Sequence, residues 1–527
     1  MRMNIRRSCL LGIMVVLAAT ARAGTNALQV ADGPFKPDWQ SLASQYQCPD
    51  WFRDAKFGIW AHWGPQCQPE QGDWYARRMY IPGERQYNFH VQHYGPQSKF
   101  GFKDVIHEWK ADKFDPEKLI ALYKQAGAKY FVAMANHHDN FDNFNSKFQP
   151  WNSVVLGPKK DLVGMWEKAA RRAGLRFGVT EHAGRAWTWY EPAQGADTNG
   201  PLAGVAYDGK LTKADGKGQW WEGLDPQDLY AQNHPKGAKP DAAYCEKFFL
   251  RTRQLIDDYK PDLLYFDDSI LPLESVSEDY GLSIAAHYYN ASIQWHGHNE
   301  AVMTTKHLNE QQRKSLTWDI ERGRSEGIEP FVWQTDTCIG SWHYDRGIFE
   351  NHRYKTAAVV VPMLVDIVSK NGNLLLNIPV RGDGTIDDDE VRFLEQMAKW
   401  MDVNSEGIYG TRPWKVFGEG PSATQQQRGR FGGVTDTQSK PFTTEDFRFT
   451  TKGGALYAFC LGIPSGDVKI KSLGGAAKLA DQPVANVALL GSDEKLDWTQ
   501  GADALVIKHP ARLPSDHAIA FKLTFAN

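Results

Sequence analysis

The feature that most constrains this chain is an alternation. From residue 56 to about residue 405, short β-forming runs take turns with amphipathic helical stretches. The β-forming runs are Lys56–His62, Lys129–Asn136, Arg176–His182, Asp262–Asp268, Ala301–Thr305, Ser315–Ile320, Phe331–Thr337 and Asn373–Pro379. Tyr130-Phe131-Val132-Ala133-Met134 and Leu374-Leu375-Leu376 are continuously apolar, as strands buried on both faces are. Helices are expected over Pro116–Ala126, Asp161–Ala173, Asp241–Tyr259, Asp279–Trp295 and Tyr354–Ser369, the first opened by Asp115 as cap and Pro116 in the first turn. Strand–helix alternation calls for a parallel sheet. Eight strands favour a closed (β/α)8-like barrel in an α/β fold over an open dinucleotide-binding sheet, and no GxGxxG follows the first strand.

The texture changes after Trp400. Gly- and Thr-rich turns separate short alternating runs such as Ala455–Phe459 and Ala518–Leu523, which read as a C-terminal β-sandwich. The expected division is a signal peptide over 1–23, a catalytic barrel over 24–405 and a β-sandwich over 406–527. The leader rests on a basic start (Arg2, Arg6, Arg7), an apolar run over Leu10–Ala19 too short to span a bilayer well, and Ala21-Arg22-Ala23 before Gly24. A signal anchor is the alternative. No later run reaches membrane-spanning length, so a periplasmic or secreted protein is expected. The leader carries four of the 60 basic residues and none of the 63 acidic ones, so its loss moves the net charge from −3 to −7. Such a balance argues against nucleic acid as a partner. Cys48, Cys67, Cys245, Cys338 and Cys460 form neither a disulfide framework nor a CxxC zinc site, although export would permit a Cys48–Cys67 bond. The Gly- and Pro-rich stretch 199–239 reads as an excursion beyond the third strand, and such loops commonly serve a site.

In barrel enzymes the chemistry sits at the C-terminal strand ends. Here those ends are polar: His62-Trp63-Gly64, His137-His138-Asp139, Glu181-His182 and Asp267-Asp268, followed by Glu321-Arg322 and Gln334-Thr335-Asp336. Each alone is weak; their accumulation at equivalent positions is the signal. The fourth strand, Pro261–Phe266, is apolar and delivers Asp267 to the barrel mouth. An ionised carboxylate there, with a protonated partner acid, is what glycoside hydrolysis needs, and a spacing of about 5 Å gives retention. A metal ligand or a strand-end cap is the plain alternative for Asp267. Asp268 should point away, because successive strand residues face opposite sides. The 19 Trp residues fill a large core or line a carbohydrate cleft.

Four segments resemble the α-L-fucosidases of glycoside hydrolase family 29. They are KFGIWAHWG (Lys56–Gly64) with DWYARRMY (Asp73–Tyr80), NHHDNFDNFNSK (Asn136–Lys147), YKPDLLYFDD (Tyr259–Asp268) and SKNGNLLLNIPVRGDGTI (Ser369–Ile386). The resemblance implies that Asp267 is the nucleophile and that His62, His137 and His138 hold fucose hydroxyls, with Trp74 and Tyr75 near the sugar. Neutral imidazole suits that task because it donates one hydrogen bond and accepts another. His182 and Trp333 join them as expected substrate contacts. No metal or other cofactor is expected, since adjacent strand residues such as His137 and His138 diverge and cannot easily share an ion.

The general acid departs from the better-known pattern. Many family members carry a glutamate after a tryptophan where this chain has Trp333-Gln334, and an amide cannot supply a catalytic proton. Glu321, in WDIERGRSEG (Trp318–Gly327), is the first candidate, Asp336 the second and Glu326 the third. An ion pair with Arg322 or Arg324 is the plain alternative for Glu321. The leading expectation is an exo-acting retaining α-L-fucosidase that takes a fucosylated oligosaccharide or glycoconjugate. A glycosidase or transfucosidase acting on fucose-like sugars, and a non-catalytic carbohydrate-binding homologue, are the alternatives.

Overall fold

The computed structural model describes residues 28–424, 434–435 and 441–526. The leader sequence read over residues 1–23 lies outside them. Eight parallel strands close into a barrel in chain order: β1 Phe57–Ala61, β2 Tyr130–Met134, β3 Arg176–Glu181, β4 Leu263–Phe266, β5 Val302–Thr305, β6 Thr317–Asp319, β7 Trp333–Cys338 and β8 Gly372–Asn377. β8 returns to β1 with Leu375 opposite Gly58, which completes the ring. Each strand lies within, or within one residue of, an expected run.

Strand parity divides the core in two. Trp60, Tyr130, Val132, Leu263, Tyr265, Val302 and Leu375 fill the barrel interior. Their neighbours Ile59, Phe131, Leu264, Met303, Trp333 and Leu374 face outward into the helical layer. α1 Pro116–Gln125 follows Asp115, the expected cap, and α2 Leu162–Arg172 and α3 Ala242–Tyr259 follow Asp161 and Asp241 in the same way; the three carboxylates accept N–H bonds from Lys118, Gly164 and Tyr244 at 3.0, 3.0 and 2.8 Å. α4 Glu278–His296 and α5 Ala357–Ser369 complete the expected set. A sixth long helix, α6 Asp388–Asn404, opens with a capping box of Asp387 and Glu390.

The C-terminal region begins at β9 Arg412–Glu419. It continues through β10 Phe447–Lys452, β11 Ala455–Cys460, β12 Val468–Ile470, β13 Val484–Leu489, β14 Trp498–Gln500, β15 Leu505–Ile507 and β16 Ile519–Phe525. Five strands form an antiparallel sheet in the order β9-β10-β11-β16-β13, and β12, β15 and β14 form a second. Phe449, Leu456 and Phe521 of the first sheet share one apolar cluster with Ile470 and Ile507 of the second, as in a sandwich. Buried hydrogen bonds cross the seam with the barrel: Trp400 donates its indole N–H to the Ala518 carbonyl at 2.7 Å, and Thr450 donates to the Gly407 carbonyl at 2.7 Å. Cys48, Cys67, Cys245, Cys338 and Cys460 are all free thiols, so Cys48 and Cys67 are not bonded to each other. Among the described residues, no helix is long and apolar enough to cross a membrane.

Candidate active site

Strand parity also builds the site. Outward Ala61 and Phe266 leave His62 and Asp267, the next residues, facing the barrel axis. They open onto a pocket of about 380 Å³ at the C-terminal mouth, the volume class of a small-ligand site. His137, His138, His182, Trp74, Glu321 and Asp336 line it, together with Lys306 and Trp342. The pair His137-His138 does not diverge. The chain leaves β2 at Met134, and both rings turn into the pocket with centroids 4.5 Å apart. Behind them Arg251 clamps Asp142 at 3.0 and 2.6 Å and reaches Asn140 at 2.6 Å, while Asn136 donates to Asp142 and Glu181 at 3.1 and 3.0 Å. This buried network fixes the loop that carries the histidines.

The wiring assigns each imidazole a role. Ala76 N–H donates to the Gln66 carbonyl oxygen at 3.3 Å, so the Gln66 amide N–H groups face His137 Nδ1 at 2.8 Å and Asp139 at 3.0 Å. His137 therefore accepts at Nδ1 and presents Nε2–H to the pocket. His182 donates Nδ1–H to the Asn136 carbonyl at 3.1 Å, leaving the Nε2 lone pair 3.8 Å from Asp267 Oδ2. Among the described residues, neither ring nitrogen of His62 has a hydrogen-bond partner although the residue is buried, and such orphans are the groups a ligand's hydroxyls would satisfy. Burial, with His343 and His182 beside it, lowers His62 well below the ordinary range; burial first, with His138 and His343 next, does the same for His137. Burial brings His182 down to about 3. These three rings stay neutral at neutral pH and so both donate and accept. His138 faces two acceptors: its Nδ1 lies 2.7 Å from the His182 carbonyl and its Nε2 lies 3.3 Å from Asp267 Oδ2.

The carboxylates are equally distinct. Burial alone would raise Asp267, but the Lys306 ammonium, followed by the His138 hydrogen bond, outweighs it and holds this carboxyl well below the usual range. Lys306 is ion-paired with Asp267 and with Glu321, the latter at 2.6 Å. Glu321 thus pairs with Lys306. Arg324 is turned toward Asp366, and Arg322 lies over the Trp342 ring at 4.7 Å. Asp336 sits on the floor, 1% exposed, and accepts from the Tyr265 hydroxyl at 3.0 Å. Burial raises it to about 6 and raises its neighbour Asp319 well above the ordinary range, with Asp336 adding to the second shift. Asp319 Oδ2 and Asp336 Oδ1 are the oxygens of this pair that have no hydrogen-bond partner among the described residues. Asp268 points outward and meets Arg185 at 3.2 Å; burial raises it to about 6.

Four groups, His62, Asp73, His137 and His343, bring ligand atoms within 4.8 Å of one another, close enough to hold a divalent ion. Two features oppose that use. The Gln66 amide keeps the His137 proton on Nε2, where a metal ligand needs a lone pair, and Asp73 is already bonded to His343 Nδ1 at 2.8 Å. The set suits sugar hydroxyls better than a cation.

Comparison with known proteins agrees. The family model described as Alpha-L-fucosidase matches residues 23–406, and that described as Alpha-L-fucosidase C-terminal domain matches residues 439–524. The chain belongs to the alpha-L-fucosidase family. It is a glycoside hydrolase acting on fucosyl groups. Its relatives include tissue alpha-L-fucosidase of Rattus norvegicus, 27% identical over 98% of this chain and 97% of that one, and plasma alpha-L-fucosidase of Homo sapiens, 28% identical over 72% and 73%. A solved Thermotoga maritima alpha-fucosidase in complex with fucose superimposes with a TM-score of 0.68 at 27% identity, covering 93% of this chain and 99% of that one.

Within this fucosidase, two expected sugar contacts lie elsewhere. Trp333 faces outward from β7, 1% exposed, and donates to the Lys370 carbonyl at 2.9 Å. Tyr75 is wholly buried and bonds His90 Nδ1 at 2.8 Å. Neither lines the pocket, and Glu326 is exposed outside it. Gln334 is not at the mouth either. It lies one layer down, donating to Asp319 at 2.9 Å and accepting from the Tyr130 hydroxyl at 3.3 Å. Its amide therefore says nothing about loss of the acid. Trp74 does line the pocket, half open to solvent, with φ of 63°. A bulky residue in the left-handed region is a strained position that a site can justify. Lys306, Arg185, His307, Asp73, Trp342 and His343 are pocket or site residues that sequence reasoning missed. Lys306 follows β5 just as Asp267 follows β4, so the strand-end rule reaches it; the others arrive on loops.

Proposed function

We propose that this fucosidase releases terminal α-L-fucosyl residues with retention, by double displacement, using Asp267 as nucleophile and Glu321 as acid/base. One observation carries the reading: a single ammonium, Lys306, touches both carboxylates. Their nearest oxygens are then separated by no more than two hydrogen-bond lengths, about 5 Å, which fits retaining rather than inverting enzymes. Lys306 also balances charge through the cycle. At the start Asp267 is ionised and Glu321 carries the proton. In the glycosyl-enzyme Asp267 is an ester and Glu321, having protonated the leaving oxygen, is the carboxylate. Lys306 faces one negative charge in each state, so attack requires little reorganisation around it. Glu321 then takes a proton from water, whose oxygen attacks the anomeric carbon and restores Asp267. His62, His137, His138 and His182 bind sugar hydroxyls, and Trp74 lies against the ring.

Asp336 is the second acid candidate because its carboxyl is raised to about 6. Its burial and its bonds to Tyr265 and Asp319 argue for a floor residue instead. The deciding test is Asp267→Ala, Glu321→Ala and Asp336→Ala on an aryl fucoside with azide. Azide should rescue Glu321→Ala with a product of retained configuration and Asp267→Ala with an inverted one. Rescue of Asp336→Ala with retention would move the acid there, and full activity of Asp267→Ala would end the mechanism. The pattern over residues 1–23 supports export to the periplasm or medium; a mature N-terminus at Gly24 in the exported protein checks it.

A further inference from the structure

We infer that the C-terminal sandwich is a working part of the active site. It fixes the loop that carries Glu321, with Arg448 as the positioning residue. The inference rests on the assignment of Glu321 as acid/base.

Glu321 begins a tight loop whose inner side is tied to β7. Ile320 N–H donates to the Gln334 carbonyl at 3.0 Å, Arg322 N–H to the Asp336 carbonyl at 2.8 Å, and the Thr335 hydroxyl to the Ile320 carbonyl at 2.6 Å. Its outer side is tied to the C-terminal region. Gly323 and Arg324 pair antiparallel with Thr435 and Val434. The Arg324 guanidinium meets Asp366 of α5 at 3.4 Å, and Asp366 is also bound by Lys370 at 2.9 Å and by Arg448 of β10. Lys370 closes the loop by donating to the Ser325 carbonyl at 3.0 Å. Arg448 is held from the sandwich side by the Ser422 hydroxyl and the Phe447 carbonyl, each at 2.8 Å. Phe442 lies 5.1 Å from the Arg324 guanidinium and 5.5 Å from that of Arg448. Arg324, Asp366, Lys370 and Arg448 are all buried.

A buried carboxylate shared by three cations is costly to rearrange, because any move leaves a charge without its partner. The cluster therefore behaves as a rigid joint. The loop it holds needs one: Arg322, directly after Glu321, has φ of 47°, a conformation that persists in a non-glycine residue only when its surroundings over-determine it. Without Arg448 the outer anchor loosens, Arg322 can relax to ordinary backbone angles, and the Glu321 carboxyl drifts from the leaving oxygen.

The test compares two substrates in the full-length enzyme. A chloronitrophenyl fucoside leaves without help from an acid, whereas an unactivated fucosyl disaccharide does not. Arg448→Met should lower kcat/KM on the disaccharide about 10- to 100-fold and change it by less than about twofold on the aryl fucoside, with recovery in Arg448→Lys. Phe442→Ala, less buried, should show the same bias if Arg448→Met does not fold, as judged by its melt. Glu321→Ala is run beside them. If it shows the leaving-group bias while folded Arg448→Met and Phe442→Ala lose activity equally on both substrates, or lose none, the positioning role is overturned alone. If Glu321→Ala itself shows no bias, the acid assignment falls and the positioning role with it.

Discussion

Two charge clusters lie on either side of the Glu321 loop, and they are built in opposite ways. In the pocket, one cation, Lys306, serves two carboxylates. At the seam with the sandwich, one carboxylate, Asp366, serves three cations. Buried Asp366 would be raised by desolvation, but Lys370, Arg448 and Arg324 hold it well below the usual range. Burial in turn brings Lys370 down to about 8 against the pull of Asp366. An excess of cations keeps a carboxylate ionised and still. A shortage sets two carboxyls in competition for one ammonium. The first arrangement suits a joint and the second suits acid–base chemistry.

The seam should fail first by stability. Asp366→Ala strands three buried cations and is expected to cost about 3 to 5 kcal/mol near pH 7, read from urea unfolding. The sign follows from the depressed carboxyl: its stabilisation is present above the unfolded value near 4 and fades only in stronger acid. A loss under about 1 kcal/mol would make the seam a group of ordinary surface pairs and dissolve the contrast. The pocket should fail by chemistry instead. Lys306→Met removes the main cation holding Asp267 ionised, so kcat/KM is expected to fall about 100-fold and its acidic limb to move to higher pH. An unmoved limb would show that the His138 contact suffices.

The contrast also explains what could be read from the sequence. The barrel was legible because most strands, such as β2, β4 and β8, are short apolar runs ending in or followed by polar residues, and parity then aims alternate side chains at the axis. Asp267 and His62 follow from that rule, and Lys306 obeys it too. Trp333 breaks as a sugar contact by the same rule, since its neighbour Gln334 takes the inward side. His137 and His138 escape it because the chain has already left β2. Asp73, Trp342 and His343 reach the pocket on loops, whose path no periodicity records. The seam was invisible because Arg324, Asp366 and Arg448 come from three distant segments, each looking alone like a solvated charge.

Beneath the pocket, Asp319 and Asp336 sharpen the comparison, because burial raises both carboxyls and the expected outcome is one proton shared between them. Asp319 is raised in the folded state, first by burial and then by Asp336. Its contribution is therefore full below the unfolded value near 4 and is lost as pH rises through the folded value. Asn at this position keeps a donor toward Asp336 at every pH. Asp319→Asn should match the parent near pH 4 and exceed its stability by about 1 to 3 kcal/mol above pH 7, measured as melting temperature against pH. Parallel curves for the two proteins would mean that no proton is shared.

The smallest expected effects separate two tryptophans on opposite sides of the same barrel wall. Trp74 lines the pocket, whereas Trp333 donates its N–H to the carbonyl of Lys370, a member of the seam. Trp74→Ala removes a face against which the sugar packs, so KM on an aryl fucoside should rise about 5- to 10-fold, roughly 1 kcal/mol. Its melting temperature should hold, because Trp74 is exposed and gives up little packing. Trp333→Phe should do the reverse, lowering the melting temperature by a few degrees for about 1 kcal/mol while leaving KM unchanged. Exchange of the two phenotypes would place the sugar against the seam and overturn the division between a wall that binds and a wall that braces.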